Sequence, residues 1–492
     1  MESTPGRDYG TLEEGLTVDV IILGAGIAGI TSAYLLKKAE VSVALIEARK
    51  IVKDVTGHTT AKITSAHNVI YSNLESNFDS NGARIYAEAN ERAIDKIESI
   101  VKERNIECDF KRIPCYVYSE DEKDMIKKEA KACEDAKLPV SYTESTPLPY
   151  DVAAAIKYKN QAEFHPRKYL LNLADTITGN GSYIFEGTRA IDVKKGEMNE
   201  VVTDKGSVQA KNVIVTTHVP FYDPGRLFAR MYPSMSYALG FYASEPFLEG
   251  MFISTKLTFT YRSTPSDKGE MIIVSGANHK AGHEKDNFEF YKKLEKHARG
   301  HFNVKSIDYH WSTMDYITMD KVPYIGKVKF DSRIYVATGF MKWGMTSGTV
   351  AAMIITDMIL GNDNKWSSFF DPSRSKPVLE STKEFLGTNI DVAKELLSGR
   401  LSRQKSYKPS ELEKGEGRVL NVDGNKVVAY KDENGKVYAL SSVCVHLGCQ
   451  VNWNNAEKTW DCPCHGSRYT YDGEVLHGPA LGNLKRYEVL EK

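Results

Sequence analysis

The chain has 492 residues, enough for several domains with sizeable cores, and its 41% hydrophobic and 26% charged residues are ordinary for a globular protein. Lys and Arg (64) nearly cancel Asp and Glu (65), leaving a net charge of −1, so neither a nucleic-acid footprint nor a basic membrane-surface cluster is present. Met1 to Thr17 is polar and acidic without the marks of a secretory signal, and no apolar run is long enough to span a membrane, so a cytoplasmic protein without an integral membrane segment is expected.

Val18 to Glu47 reads as one βαβ unit. The apolar run Val18–Leu23 suits a buried parallel strand, glycines follow, Ile30 to Lys38 has helical character, and Val41 to Ile46 is a second strand. From Ala83 to Arg104 apolar residues recur at helical spacing. Strands alternate with turns over Tyr183–Val215 and Met235–Ser275. Arg333 to Leu360 repeats the strand–glycine–helix order, with the helix placed at Val350–Leu360. Composition turns polar and proline-bearing near Asp371–Pro377, and an amphipathic helix is expected over Thr382–Leu401. Short strands and turns fill the rest, Lys426–Tyr430 and Val437–Leu440 among them.

Of seven cysteines, Cys108, Cys115 and Cys133 stand alone and read as reduced structural thiols, whereas four crowd between Cys444 and Cys464. Clustering of that kind without a secretory signal points to metal. Cys444-x-His446 and Cys462-x-x-His465 offer two thiolates and two imidazoles, a set that could also hold zinc. The extra cysteine in each segment, Cys449 and Cys464, argues against zinc, since these two could bond to each other.

This pattern closely resembles a Rieske domain. The resemblance implies that Cys444 and Cys462 ligate one iron of a [2Fe–2S] cluster and His446 and His465 the other, with a reduction potential of about −150 to +300 mV. It further implies a Cys449–Cys464 disulfide, hydroxyl donors to the cluster sulfurs at Ser467 and Tyr469, and a covering loop at Gly478-Pro479-Ala480.

At the other end, Gly24-Ala25-Gly26-Ile27-Ala28-Gly29 sits between strand and helix. Gly24 allows the tight turn, Gly26 lets a pyrophosphate approach the backbone, and Gly29 lets helix and strand pack closely. Glu47, ending the second strand, can bind ribose hydroxyls. Together they predict a dinucleotide without saying which.

Val18 to Leu360 is similar to the D-amino-acid oxidase/glycine oxidase class, and that resemblance implies FAD. It places Glu47, Ala48 and Arg49, then His58, Thr59, Thr60 and Lys62 along the cofactor, and Ala190 beside the adenine. Gly339, Gly344, Met345 and Thr346 fall in the segment where a helix N-terminus faces the flavin. A histidine in the position of His58 is covalently joined to flavin in some relatives; noncovalent contact is expected here, where the flanking tryptophan is missing. With no second GxGxxG, a separate nicotinamide domain is not expected.

The expected fold is an α/β FAD-binding, Rossmann-like domain with an inserted α+β substrate domain, followed by an all-β Rieske domain. The oxidoreductase part is assigned to 1–365, with FAD-binding parts at about 17–65, 183–220 and 320–362 and the substrate sheet at about 220–318. A linker spans 366–403 and the Rieske domain 404–492. Substrate-side candidates are Tyr261 and Arg262 as a carboxylate clamp, His279 and Lys280 on a turn, and Tyr232, Tyr237, His310 and Trp311. The reading is an amine or amino-acid dehydrogenase that passes electrons from FAD through the cluster to an external acceptor, a redox protein or quinone. Its alternatives are a reductase or oxygenase fed through the cluster, and a redox-sensing or electron-transfer protein without its own substrate.

Overall fold

The structure is a computed structural model that describes residues 4–247, 249–329, 332–374, 387, 389–390, 392, 411–422 and 425–487. Among the described residues the strands form four sheets. The first is built on parallel strands. Leu16–Leu23 lies between Val43–Ile46 and Ser207–Val215, flanked by Tyr183–Phe185 on one side and Ile334–Thr338 on the other. Parallel strands buried on both faces must be apolar on both. Val20 and Ile22 accordingly face the helices, while Ile21 and Leu23 pack beneath the antiparallel strands Ala190–Lys194 and Asn199–Thr203.

Two helices cover the first face, Ile27–Lys38 and Gly344–Leu360. The second begins at Gly344, before the expected Val350. Its opening residues, Gly344 to Thr349, read as a turn because they are small, yet smallness is what the contact needs. A Cβ on Gly348 would come within 2.8 Å of the Ile27 side chain. The expected helix at Ala83 begins at Tyr71, with a break at Asp79, where φ is 77°.

The second sheet is mostly antiparallel, running Val304–Thr318, Met231–Ala243, Gly269–Lys280, Phe259–Ser266, Met251–Ser254, Lys111–Ser119 and Ala154–Glu163. Its strands Met231–Ala243, Gly269–Lys280 and Val304–Thr318 line one cleft together with the ends of the parallel strands. Cys108, Cys115 and Cys133 are buried and unpaired within the molecule's main cores, and burial pushes their thiols up, Cys108 to about 11 and Cys115 to about 12. That suits inert, structural thiols. The C-terminal part folds as two four-stranded sheets, Gly417–Val422 to Arg486–Tyr487 and Asn452–Asn454 to Val475–His477. The helix expected over Thr382–Leu401 falls mostly outside the described residues.

Candidate active site and cluster centre

A cleft opens where the parallel strands end, the position at which α/β sheets bind their ligands. Gly24, Gly26, Ile27 and Ala28 form one wall, and Glu47, Ala48 and Arg49 continue it. Gly24 has φ +97°, so its turn favours glycine. Gly26 borders the cleft, and its missing Cβ keeps open the cradle that a pyrophosphate would occupy. Gly29 lies behind the wall. A Cβ there would stand 1.9 Å from the Gly24 carbonyl, so it serves helix–strand packing.

The Glu47 carboxylate accepts from the backbone N–H of Ala25 (2.9 Å) and Arg49 (3.0 Å). Burial pushes its carboxyl up, and these two donors hold it back down. His58, Thr59, Thr60 and Lys62 line the next stretch, with Ala190 across from them. The carbonyl of His58 accepts from Trp311 Nε1 (2.9 Å), while its own Nδ1 meets the carbonyl of Asp54 (3.0 Å). At the far end Gly344 and Met345 bring the N-terminus of their helix to the cleft. Gly339 and Thr346 do not border it. Thr346 instead donates to the carbonyl of Thr64 (3.1 Å). A glycine cradle at one end and a helix N-terminus at the other suit an elongated anionic dinucleotide, and FAD fits this donor set.

On the substrate side the structure departs from expectation. Tyr261 is fully buried among Phe247, His297 and Phe302. Arg262 donates to the carbonyls of Ala61 (3.0 Å) and Phe164 (3.2 Å) and lies 3.6 Å from Glu163. Neither residue lines the cleft, so the pair forms no carboxylate clamp there. His279 is stacked on Phe290 and Tyr237, with Nε2 on the Tyr237 hydroxyl (3.0 Å), and Lys280 lies outside the lining too. Strand alternation is the reason, because it turns Asn278 inward and His279 away. Among the remaining candidates, Tyr237 and Trp311 border the cleft and Tyr232 and His310 do not.

Among the polar groups that do reach the cleft is Lys342. Its Nζ donates to Ser236 Oγ (2.5 Å) and Asn278 Oδ1 (2.6 Å), and burial lowers its pKa to about 8. Lys342 and Met341 both have positive φ, a strained arrangement of the sort found at functional sites. Lys62 is a second buried amine, lowered to about 7 by burial and next by Arg262, and it donates to Thr60 and Thr260 (both 3.2 Å). The sequence alone gives Lys342 and His218 no role of their own. Both follow strands that end at the cleft, and that position was the available signal.

The cluster segments are two copies of one turn. Gly448 N–H returns to the carbonyl of Cys444 and Gly466 N–H to that of Cys462, each at 3.0 Å, and both glycines have positive φ. Cys449 and Cys464 are disulfide-bonded across the two turns. Cys449, Cys462 and Cys464 sulfurs lie close together, but the bonded pair has no thiolate to offer a metal. That leaves Cys444 and Cys462, both buried, beside His446 and His465, whose rings are 5.1 Å apart. Nδ1 of both histidines is buried without a hydrogen-bond partner. Burial lowers both imidazoles, His465 to about 4 with the help of His446, and so favours their neutral, ligating form. Two thiols and two orphaned imidazole nitrogens are the donor set a [2Fe–2S] cluster of mixed ligation requires, so the residues fit the group. Tyr469 OH lies 3.2 Å from Cys444 Sγ, whereas Ser467 Oγ accepts from Ala480 N–H (3.1 Å).

The two centres share a wall. Residues Leu476 to Leu481, the loop over the cluster turns, border the same cleft as the glycine loop. The C-terminal domain is seated closely: Asn452 donates to the carbonyl of Gly282 (2.8 Å), Asn455 accepts from Asn287 N–H (2.8 Å), and Tyr291 donates to Glu457 (2.7 Å).

A profile of the FAD dependent oxidoreductase family matches residues 19–358, and one of the Rieske [2Fe-2S] domain matches 402–488. YhfW of Bacillus subtilis (strain 168), named as a Rieske 2Fe-2S iron-sulfur protein, is 39% identical over 493 residues, covering 99% of this chain and 96% of its own. Gamma-glutamylputrescine oxidoreductase of Escherichia coli (strain K12) is 23% identical over 73% of this chain and 88% of its own. Among solved structures, glycine oxidase from Geobacillus kaustophilus superposes with a TM-score of 0.61 at 16% identity, covering 73% of this chain and 99% of that one; this likeness speaks for the fold.

Proposed function

Because the chain belongs to the FAD-dependent oxidoreductase family and carries a Rieske [2Fe–2S] domain behind it, we propose that it dehydrogenates an amine or amino acid and sends the electrons through the cluster to an external one-electron acceptor. The observation that carries this reading is the shared wall, with the glycine loop and the cluster-covering loop bordering one cleft. A two-electron centre that close to a one-electron centre is useful when the final acceptor takes single electrons.

When bound, FAD supplies the hydride-accepting ring. The protein's share is placement. In this reading Gly24, Gly26 and Glu47 hold the dinucleotide, and the strand residues Ser236, Asn278 and Thr313 with Trp311 bound the substrate space. Lys342, fixed between Ser236 and Asn278, meets an anionic group of the substrate such as a carboxylate. Cys444 and Cys462 are assigned to one iron, and His446 and His465 to the other. Among the described residues no helix is long and apolar enough to cross a membrane, so the acceptor is taken to approach the protein rather than share a membrane span with it.

An anaerobic redox titration that follows flavin absorbance and cluster EPR together tests the direction of flow. Cluster reduction ahead of the flavin supports the dehydrogenase, and an amine screen then follows. Flavin reduction first, with the cluster oxidised down to low potential, reverses the flow and removes the proposal.

A further inference from the structure

One phenol joins the cleft wall to the cluster turns. Tyr316 OH donates to the carbonyl of His465 (2.8 Å), in the second cluster turn, and lies 3.3 Å from the carbonyl of Gly478 in the covering loop. Its ring stands edge-on to His218, with centroids 4.9 Å apart. His218 borders the cleft, and its Nδ1 is 2.7 Å from Nε2 of His477, which also borders the cleft. The carbonyl of Tyr316 accepts from Met341 N–H (3.2 Å), tying the same residue to the flavin segment. A continuous hydrogen-bonded and ring-edge path therefore runs from the cleft wall to the backbone of a cluster turn.

The path is also held at close range. Gly466 has φ +75°, and a Cβ on it would meet Pro233 Cβ at 2.7 Å and the Tyr316 hydroxyl at 2.9 Å. Across the interface, a Cβ on Gly282 would meet the Pro463 backbone at 2.9 Å. Glycine at both points lets the cluster turns press against the substrate sheet, a contact density at odds with a domain that must swing to work.

We propose that Tyr316 and the His218–His477 pair form a fixed conduit through which electrons pass from flavin to cluster inside the docked molecule, with Tyr316 as a positioning residue. This rests on the dehydrogenase reading above. In each of two events one electron leaves the reduced flavin and one Fe(III) of the cluster becomes Fe(II); over the two events the single proton that arrived with the substrate hydride goes to bulk water. The external one-electron acceptor empties the cluster before the second event. Bonded contacts carry electronic coupling better than gaps through space, so removing a bond from such a path weakens it.

The test uses the holoprotein, anaerobically, with the flavin photoreduced by oxalate as sacrificial electron donor rather than by substrate, so that transfer is separated from amine oxidation. Cluster reduction is followed by absorbance and EPR in wild type, Tyr316→Phe and His477→Leu, at rising sucrose viscosity. The wild-type rate should be independent of viscosity, and each variant should slow it. The midpoint potentials and EPR line shape of the centres should stay unchanged, which a merely structural disturbance would not leave so. A rate that falls with viscosity, or variants that transfer at wild-type speed, overturns the conduit. Light-driven transfer that persists while no amine reduces the flavin leaves the conduit standing and removes the substrate reading. A wild-type flavin that never exchanges electrons with the cluster removes both.

Discussion

The two glycines Gly26 and Gly29 separate stability from cofactor binding, and replacing each with alanine tests that division. At Gly29 the new methyl would sit 1.9 Å from the carbonyl oxygen of Gly24 and 3.1 Å from its carbon. Both belong to backbone that cannot rotate aside, so the helix Ile27–Lys38 has to lift from the strand Leu16–Leu23, which is fully buried at Val20, Ile21 and Ile22. Overpacking of this kind costs about 1–3 kcal/mol, and a backbone clash belongs at the upper end. At Gly26 the methyl meets the Thr56 side chain, with Oγ1 nearest at 2.9 Å. That hydroxyl can turn, giving up its bond from Ile27 N–H (3.2 Å), so the fold should lose about 1 kcal/mol or less. The methyl then fills the cradle facing the dinucleotide. Denaturant unfolding of the flavin-free proteins and flavin titration of each should show Gly29→Ala unstable by about 3 kcal/mol. Gly26→Ala should be near wild type in stability but bind FAD at least about tenfold more weakly. A stable Gly29→Ala, or a Gly26→Ala that keeps full FAD affinity, would refute the assignment of the two roles.

Four further outcomes follow from named groups. Lys342, lowered to about 8, loses its charge as pH rises through that value, so the affinity of a carboxylate ligand measured by flavin perturbation should fall there, and Lys342→Met should flatten the limb. His67 is buried, with Nδ1 on the Tyr86 hydroxyl and Nε2 on the Thr64 carbonyl (both 2.6 Å), and burial lowers it to about 3. The unfolded chain takes up this proton below about 6.5 while the folded one does not. Stability should therefore fall between about pH 6.5 and 3, by up to about 5 kcal/mol, and chemical denaturation of His67→Gln should lack that component. Cys449→Ser removes a bridge with a sequence separation of 15, which should cost the C-terminal domain about 3 kcal/mol, read from the denaturant midpoint at which cluster absorbance is lost. Gly466→Ala forces a methyl against Pro233 and Tyr316, and hydrogen exchange should quicken over Leu476–Leu481 while the parallel sheet stays protected.

What could be read from the chain alone was local chemistry. The glycine spacing after Val18–Leu23 predicts a tight turn and a packed helix, and in the structure Gly24 has φ +97° while a Cβ on Gly29 would strike the Gly24 carbonyl. The two cysteine–histidine segments carry their donors within a few residues, so their meeting needs only that two like turns face each other. The substrate side was less legible because its contacts are distant. Ser236, Asn278 and Lys342 come from three separate segments, and which of Asn278 and His279 faces the cleft depends on a strand register that alternation alone does not fix. Tyr261 and Arg262 looked like a clamp because they are adjacent, yet adjacent strand residues point to opposite faces.

The packing between domains bears on why the two centres share one chain. A cluster on a free carrier would have to find the flavin by diffusion, and a cluster on a loose tether would spend its time among many orientations. Here Tyr316, on the substrate sheet, is bonded to a carbonyl within the second cluster turn, and His477, on the cluster domain, reaches back to His218 at the cleft. Each domain thus completes the other's wall. Cofactor loading should then be coupled: a protein lacking the cluster turns' packing would expose the cleft that FAD occupies, and filling either centre should raise the thermal stability of both. Separate, unshifted unfolding transitions for flavin release and cluster loss, whichever centre is filled, would mean that the shared wall carries no energy.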